Sequence, residues 1–93
     1  MPNYKVAHIS EQGIDFIIIP LNSNFGSKTD NEQKAIVDDL QTHASAAGLS
    51  GAVVPVWENK GAMAFRAPAK WHSFFRSIDL SFVGQHLNTQ LSW

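Results

Sequence analysis

Two short stretches decide the fold, Ser10-Glu11-Gln12-Gly13 and Glu58-Asn59-Lys60-Gly61. Each places polar residues and then a glycine between two apolar runs, which is typical of a three-residue hairpin loop with glycine in the left-handed region. The two glycines lie 48 residues apart, as do Pro20 and Pro68, which follow the second apolar run in each case. The sequence therefore predicts two β-hairpins at equivalent points of a pseudo-repeat.

The first hairpin is predicted to contain strands 4–10 and 14–21. The second strand includes Phe16-Ile17-Ile18-Ile19, which puts apolar side chains on both faces of the pleat. A strand that is apolar on both faces is typical of a buried position. We therefore expect this strand to be central in its sheet, or covered on both sides.

A helix is predicted after the first hairpin. Thr29 and Glu32 have the spacing of a capping box, and Asp30 adds negative charge to the first turn. Gly48 suits the position that follows a helix C-cap. Apolar residues recur between these ends with helical spacing: Ile36, Val37, Leu40, Ala44 and Ala47.

The second hairpin is predicted to contain strands 52–58 and 62–67. A three-residue loop pairs Trp57 with Met63, and it places a largely apolar set on one face: Val53, Pro55, Trp57, Met63, Phe65 and Ala67. The opposite face then carries Val54, Val56, Ala62 and Ala64, with Glu58 and Arg66 as its only charges. Pro55 lacks a backbone donor, so its strand is expected to be an edge or to be unpaired there on one side.

Residues 69–91 carry two helical stripes. The first is Trp71, Phe74, Phe75 and Ile78; the second is Leu80, Val83, Leu87 and Leu91, and it follows Asp79, a candidate N-cap. A single bent helix fits both stripes, and so does a short helix followed by a longer one.

Together these elements predict one α+β domain over residues 1–93 in ββαββα order, with half-repeats 1–48 and 49–93. We expect a two-layer sandwich, a four-stranded antiparallel sheet with two helices on one face. The halves would be either a true duplication or two independent hairpins.

The second sheet face lacks the charge that solvent exposure favours. We therefore expect its residues to form a homodimer interface or to cover a small ligand: Val54, Val56, Ala62 and Ala64.

Composition narrows the function classes. The formal net charge of −1 argues against a dedicated nucleic-acid binder, which normally shows a basic excess. The absence of cysteine excludes disulfides and thiolate chemistry. The longest apolar run, 16–21, is far short of the roughly 20 residues that span a bilayer, and the first residues lack the apolar run of a signal peptide. We therefore expect a cytoplasmic protein without membrane contact.

The start of the predicted helix is one candidate site. Ser27, Lys28 and Thr29 lie where backbone N–H groups and the helix dipole favour a phosphate or carboxylate. The stretch is not a nucleotide-binding P-loop, because the upstream glycine is missing and Ser27 separates glycine from lysine. An anion site and an ordinary capped helix remain as alternatives, and the pattern favours the ordinary cap.

A second candidate site combines aromatic and cationic residues. Arg66, Trp71, His72 and Arg76 could stack a planar ligand and pair with its anionic group. The alternative is that Trp71 belongs to a buried helical stripe while the charged residues are solvated. The spacing favours this alternative.

Metal and catalytic patterns are weak. None of the four histidines forms the i, i+4 pair of a helical zinc site, and Asp39 with His43 has the spacing of a surface ion pair. No serine lies in a nucleophile elbow. We predict no catalytic residue, no metal and no cofactor.

The sequence thus favours a small non-enzymatic binding or interaction module, homodimeric through the apolar sheet face, with a small-molecule ligand as a further option. Two alternatives stay open. One is a single-stranded nucleic-acid-binding domain that uses an open sheet face. The other is a small enzyme for an anionic substrate, in which Arg66 and His72 converge on one pocket.

Overall fold

The computed structural model describes residues 3–92, in which two pairs of strands are each followed by helical segments and a fifth strand ends this range. The strands are β1 (Asn3–Glu11), β2 (Ile14–Pro20), β3 (Ala52–Asn59), β4 (Ala62–Phe65) and β5 (Thr89–Ser92). The helices are α1 (Asp30–Ala46), α2 (His72–Arg76) and α3 (Leu80–Gln85), with 3₁₀ turns at Ser23–Ser27 and Ala69–Trp71. None of the helices in this range is long and apolar enough to cross a membrane.

The strands form one mixed sheet in the order β4-β3-β2-β1-β5. All neighbours are antiparallel except β2 and β3, which are parallel and joined through α1. Parallel neighbours require a crossover of this kind. The predicted α+β class is confirmed, and the four-stranded antiparallel sheet is wrong. The predicted ββαββα order is present but is followed by a further helix and a fifth strand.

Both hairpins are present, but their loops have two residues. Glu11 pairs with Ile14 and Asn59 with Ala62. The loop residues have φ of 53° and 78° at Gln12-Gly13, and 52° and 81° at Lys60-Gly61, as type I′ turns require. A loop one residue shorter than predicted shifts the register by one and moves β4 side chains to the other face.

The shift in register changes which residues share a face of the second hairpin. Trp57 lies opposite Ala64, while Met63 lies opposite Glu58 and Phe65 opposite Val56. The predicted common face of Trp57, Met63 and Phe65 is therefore wrong. β3 is an internal strand of the sheet. Pro55 lies just beyond the end of β4, and its carbonyl accepts a hydrogen bond from the Arg66 N–H at 3.2 Å.

Helices cover both faces of the sheet, so the molecule has three layers rather than two. The core on the α1 side consists of residues from the sheet and from α1 itself: Val6, Ile17, Ile19, Leu40, Ala44, Val53 and Leu91. The core on the other side consists of residues from the sheet and from α2 and α3: Ala7, Phe16, Ile18, Val54, Val56, Phe75 and Val83. β2 supplies both cores from its alternate residues, as its double apolar pattern predicts. The prediction of both helices on one face is wrong.

The ends of α1 follow the predicted local rules. Thr29 and Glu32 form a reciprocal capping box. Gly48 has φ of 83°, and its N–H bonds to the Ser45 carbonyl at 3.1 Å, while the Leu49 N–H bonds to the Ala44 carbonyl at 3.0 Å. This pair of bonds is a Schellman motif, and Leu49 packs against the α1 core.

The C-terminal segment contains two short helices and a strand. Asp79 caps α3 by accepting from the Phe82 N–H at 2.8 Å, as predicted. The second stripe does not continue as a helix, because Leu91 belongs to β5 and is buried on the α1 side. The second half of the chain thus ends in a strand that the first half lacks.

Candidate functional site

The sheet face predicted as a subunit interface is covered within the chain. Val54 and Val56 are 0% exposed and pack in the core beneath α2 and α3. Ala62 and Ala64 lie on the other face, because Ala64 pairs with Trp57. The four residues therefore form no common surface. The proposed presentation of nucleic-acid bases on an open sheet face loses its basis for the same reason.

The predicted cationic and aromatic site is divided between the two faces. Arg66 reaches toward α1, where its Nη1 donates to Asp30 at 2.7 Å and to Gln33 at 3.3 Å. His72 packs edge-on against Phe65, and its Nε2 donates to the Ala67 carbonyl at 2.9 Å. Arg66 and His72 do not converge on one pocket, so the version of the enzyme hypothesis that depends on them is wrong.

Trp71 and Arg76 complete that predicted site. Trp71 is half-buried, with its ring 4.9 Å from the Phe16 ring in an edge-on contact. Arg76 is exposed. The aromatic residue thus belongs to the buried stripe of the alternative interpretation, and no planar ligand slot joins the four residues.

At the start of α1, polar groups of the protein form hydrogen bonds with one another. The Ser27 hydroxyl donates to the Asn24 carbonyl at 2.8 Å, and the Thr29 N–H donates to Glu32 Oε1 at 3.0 Å. Hydrogen bonds from the backbone and side chain of Thr29 lower the pKa of Glu32. An external anion near Lys28 would meet this carboxylate, so the arrangement corresponds to an ordinary capped helix.

A polar cluster that the sequence did not predict links the first hairpin to the α1–β3 connection. The Ser50 hydroxyl donates to Asp15 Oδ2 at 2.6 Å, and His8 Nε2 donates to the Ser50 carbonyl at 2.8 Å. Hydrogen bonds from Ser50 and then Ser10 lower the pKa of Asp15. The histidine bonds to a carbonyl rather than to the hydroxyl, so the cluster does not activate a nucleophile.

Metal-ligating side chains do not gather in residues 3–92, where no three His, Asp or Glu residues lie close enough to hold an ion. Asp39 and His43 form the predicted i, i+4 pair, with 3.5 Å between Oδ1 and Nε2.

A groove of about 470 Å³ lies between β4 and the α2–α3 corner. We call it the edge groove, because β4 is an edge strand of the sheet. Its apolar lining consists of Ala62, Met63, Phe65, Phe75, Ile78 and Leu80. Glu58, Arg76 and Asp79 supply its charged groups. The groove is therefore apolar inside and carries both signs of charge.

The backbone of β4 is open along this groove. The Arg66 N–H bonds to the Pro55 carbonyl, so every second residue of β4, Ala62 and Ala64, directs its N–H and C=O toward β3. Met63 and Phe65 then direct theirs away from the sheet. No charged residue lies between Lys60 and Arg66, although charges usually protect edge strands from pairing.

Glu58 and Arg76 of the edge groove form no salt bridge within residues 3–92. Among residues 3–92 the salt bridges join Asp39 to His43 and Asp30 to Arg66. Glu58 and Arg76 are exposed and take part in neither. Sequence reasoning missed this site because the three-residue loop placed Met63 and Phe65 on the wrong face. The glycine at Gly61 also suits a two-residue type I′ turn, and that alternative loop would have placed both side chains correctly.

No protein-family model, no curated protein and no solved structure matches this chain.

Proposed function

We propose that the chain is a non-enzymatic interaction module that binds an extended polypeptide segment by adding it to β4 as a further strand. The observation that carries this proposal is the position of an uncharged, open edge strand directly beside an apolar groove. Strand addition uses main-chain hydrogen bonds for affinity and pockets for alternate side chains for specificity.

The two parts of the site match these two requirements. The outward N–H and C=O groups of Met63 and Phe65 can bond to an incoming strand, each bond contributing about 0.5–1.5 kcal/mol net. Alternate side chains of that strand point into the edge groove, where a fully buried apolar side chain contributes about 1.5–3 kcal/mol. The favoured ligand is therefore an extended segment with apolar residues at every second position.

The main alternative interpretation is that the edge groove binds a small molecule. The open backbone of β4 favours a polypeptide, since an apolar small molecule would leave those N–H and C=O groups to water. The dimer interface expected on the sheet face is replaced in this proposal by the sheet edge, because Val54 and Val56 are buried.

A random-sequence peptide library selected on the intact chain tests the proposal. We expect the selected peptides to slow hydrogen exchange at the Met63 and Phe65 amides, measured by NMR. Met63→Glu should weaken their binding by roughly tenfold or more, because it replaces a buried apolar contact worth about 1.4 kcal/mol or more with a carboxylate.

The matched control is Ile14→Glu, which makes the same kind of change at an apolar side chain that is 43% exposed and lies outside the groove. Its peptide affinity should equal that of the unmodified chain. Selected peptides that bind the Met63 and Ile14 variants equally well, or that protect amides elsewhere, would show that β4 is not the site.

A further inference from the structure

We propose that the strand accepted by β4 is β4 of a second copy of this chain, paired antiparallel about a twofold axis at Ala64. The proposal rests on the proposed function, because it requires that β4 accepts a strand. It names the partner: the two five-stranded sheets join at their β4 edges into one continuous sheet.

The pattern of open backbone groups is self-complementary. With the axis at Ala64, Met63 lies opposite Phe65 of the second copy, and Phe65 lies opposite Met63. Both residues direct their N–H and C=O outward, so the axis generates two equivalent hydrogen-bonded pairs. An isologous interface requires this reciprocity.

The charges near the ends of β4 disfavour one alternative register. An axis at Met63 would place Lys60 opposite Arg66 of the second copy, and like charges directly opposite are unfavourable. The axis at Ala64 instead places Arg66 opposite Ala62, which is small and exposed. This register therefore avoids a charge clash at both ends of the strand.

The edge groove also offers charges of opposite sign to a second copy. Its charged groups are Glu58, Asp79 and Arg76, which are exposed and outside the ion pairs of the described residues. The twofold axis presents the groove of one copy to the groove of the other, so the Glu58 carboxylate of each copy gains access to the Arg76 guanidinium of the other. A formal net charge of only −1 gives two copies little long-range repulsion.

The opposite edge of the sheet is a poorer docking site. The cavity nearest β5 is lined mainly by polar and charged groups, including Lys5, Asn88, Thr89 and Gln90. It offers no apolar lining comparable to that of Met63, Phe65 and Ile78. The observations therefore favour β4 over β5.

Analytical ultracentrifugation of the intact chain from micromolar to millimolar concentration tests the pairing, with Ala62→Glu and Ala62→Lys as matched variants. We expect the unmodified chain to dimerise. The glutamate should tighten the dimer roughly fivefold and the lysine should weaken it roughly fivefold, because twofold symmetry places each new charge opposite Arg66 twice. Both variants should unfold at the same temperature as the unmodified chain when dilute, since Ala62 is exposed.

A chain that sediments as a monomer throughout overturns the self-pairing. So does a shift of both variants in the same direction, which would indicate side-chain size rather than charge opposite Arg66. If the chain is monomeric but library peptides still protect the Met63 and Phe65 amides, only the identity of the partner is wrong. If neither binding is seen, the proposed function fails as well.

Discussion

Gly26 shows how a single residue depends on packing far along the chain. A Cβ at this position would lie 2.5 Å from Trp57 Nε1, closer than real Cβ contacts allow. The indole cannot withdraw easily, because Trp57 is 8% exposed and its ring lies 4.8 Å from that of Phe25, which is 3% exposed. The 3₁₀ turn at Ser23–Ser27 is held against β3 by this contact.

We therefore expect Gly26→Ala to destabilise the protein by about 1–3 kcal/mol, the usual effect of forcing extra volume into a packed site. Urea unfolding followed by tryptophan fluorescence measures the change. The matched control is Gly84→Ala in α3, where a Cβ meets nothing within 4 Å. It should be neutral or stabilising by up to about 1 kcal/mol, because alanine favours helix more than glycine does. Equal effects at the two glycines would contradict the packing argument.

The residues that could be predicted from sequence are those whose role is local. Thr29, Glu32 and Asp79 cap the helices that follow them directly, so spacing along the chain identifies them. Gly26 and the Ser50–Asp15 hydrogen bond could not be predicted in this way. Each depends on contact with a distant strand or loop, and that contact exists only after the sheet has formed.

Among the elements, β5 is joined to the sheet by a side chain as well as by its backbone. The Asn88 carboxamide accepts from the His8 N–H and donates to the His8 carbonyl, both at 3.0 Å. The Asn88 N–H also bonds to the Val6 carbonyl at 3.1 Å. The side chain thus continues the β1–β5 ladder at the residue before the strand begins.

We expect Asn88→Ala to destabilise β5 selectively by about 1 kcal/mol, the net value of such hydrogen bonds at an exposed site. Native-state hydrogen exchange should then speed up several-fold at the amides of Thr89–Ser92, with little change in β2 or β3. Gln90→Ala serves as the control, since its amide makes only an exposed contact to Asn3 at 3.3 Å. If amide exchange in β5 is the same in the two variants, the two hydrogen bonds of the Asn88 side chain do not anchor the strand.

The limits of prediction at this scale have two physical causes. Leu87 and Leu91 fit a helical stripe, and only pairing with Tyr4 of β1, 87 positions earlier, makes Leu91 part of a strand. Turn length is equally ambiguous, because glycine suits both a three-residue loop and a type I′ turn. The positive φ of Gln12 and Lys60 distinguishes the two, and residue type alone does not reveal it.

At the scale of the whole molecule, the apolar pattern of β2 predicted that this strand is central, but it did not predict which elements cover its two faces. Its apolar residues on both faces require two covering layers, and the sequence offered two helical segments. Assigning both segments to one face followed from treating the two halves as equivalent. The parallel pairing of β2 with β3 removes that equivalence, and the candidate site moves from a sheet face to the β4 edge.

The three-layer arrangement makes a quantitative prediction for adjacent residues of β2. Ile17 packs under α1 and Ile18 under the C-terminal helices, and both are 0% exposed. Ile17→Ala and Ile18→Ala should therefore each cost about 2–5 kcal/mol in the free energy of unfolding, the range for removing a buried aliphatic side chain. Ile14→Ala at the start of the same strand should cost far less, because Ile14 is 43% exposed. Urea denaturation of the three variants measures this, and a two-layer protein with one open face would instead show a large effect at only one of the two buried positions.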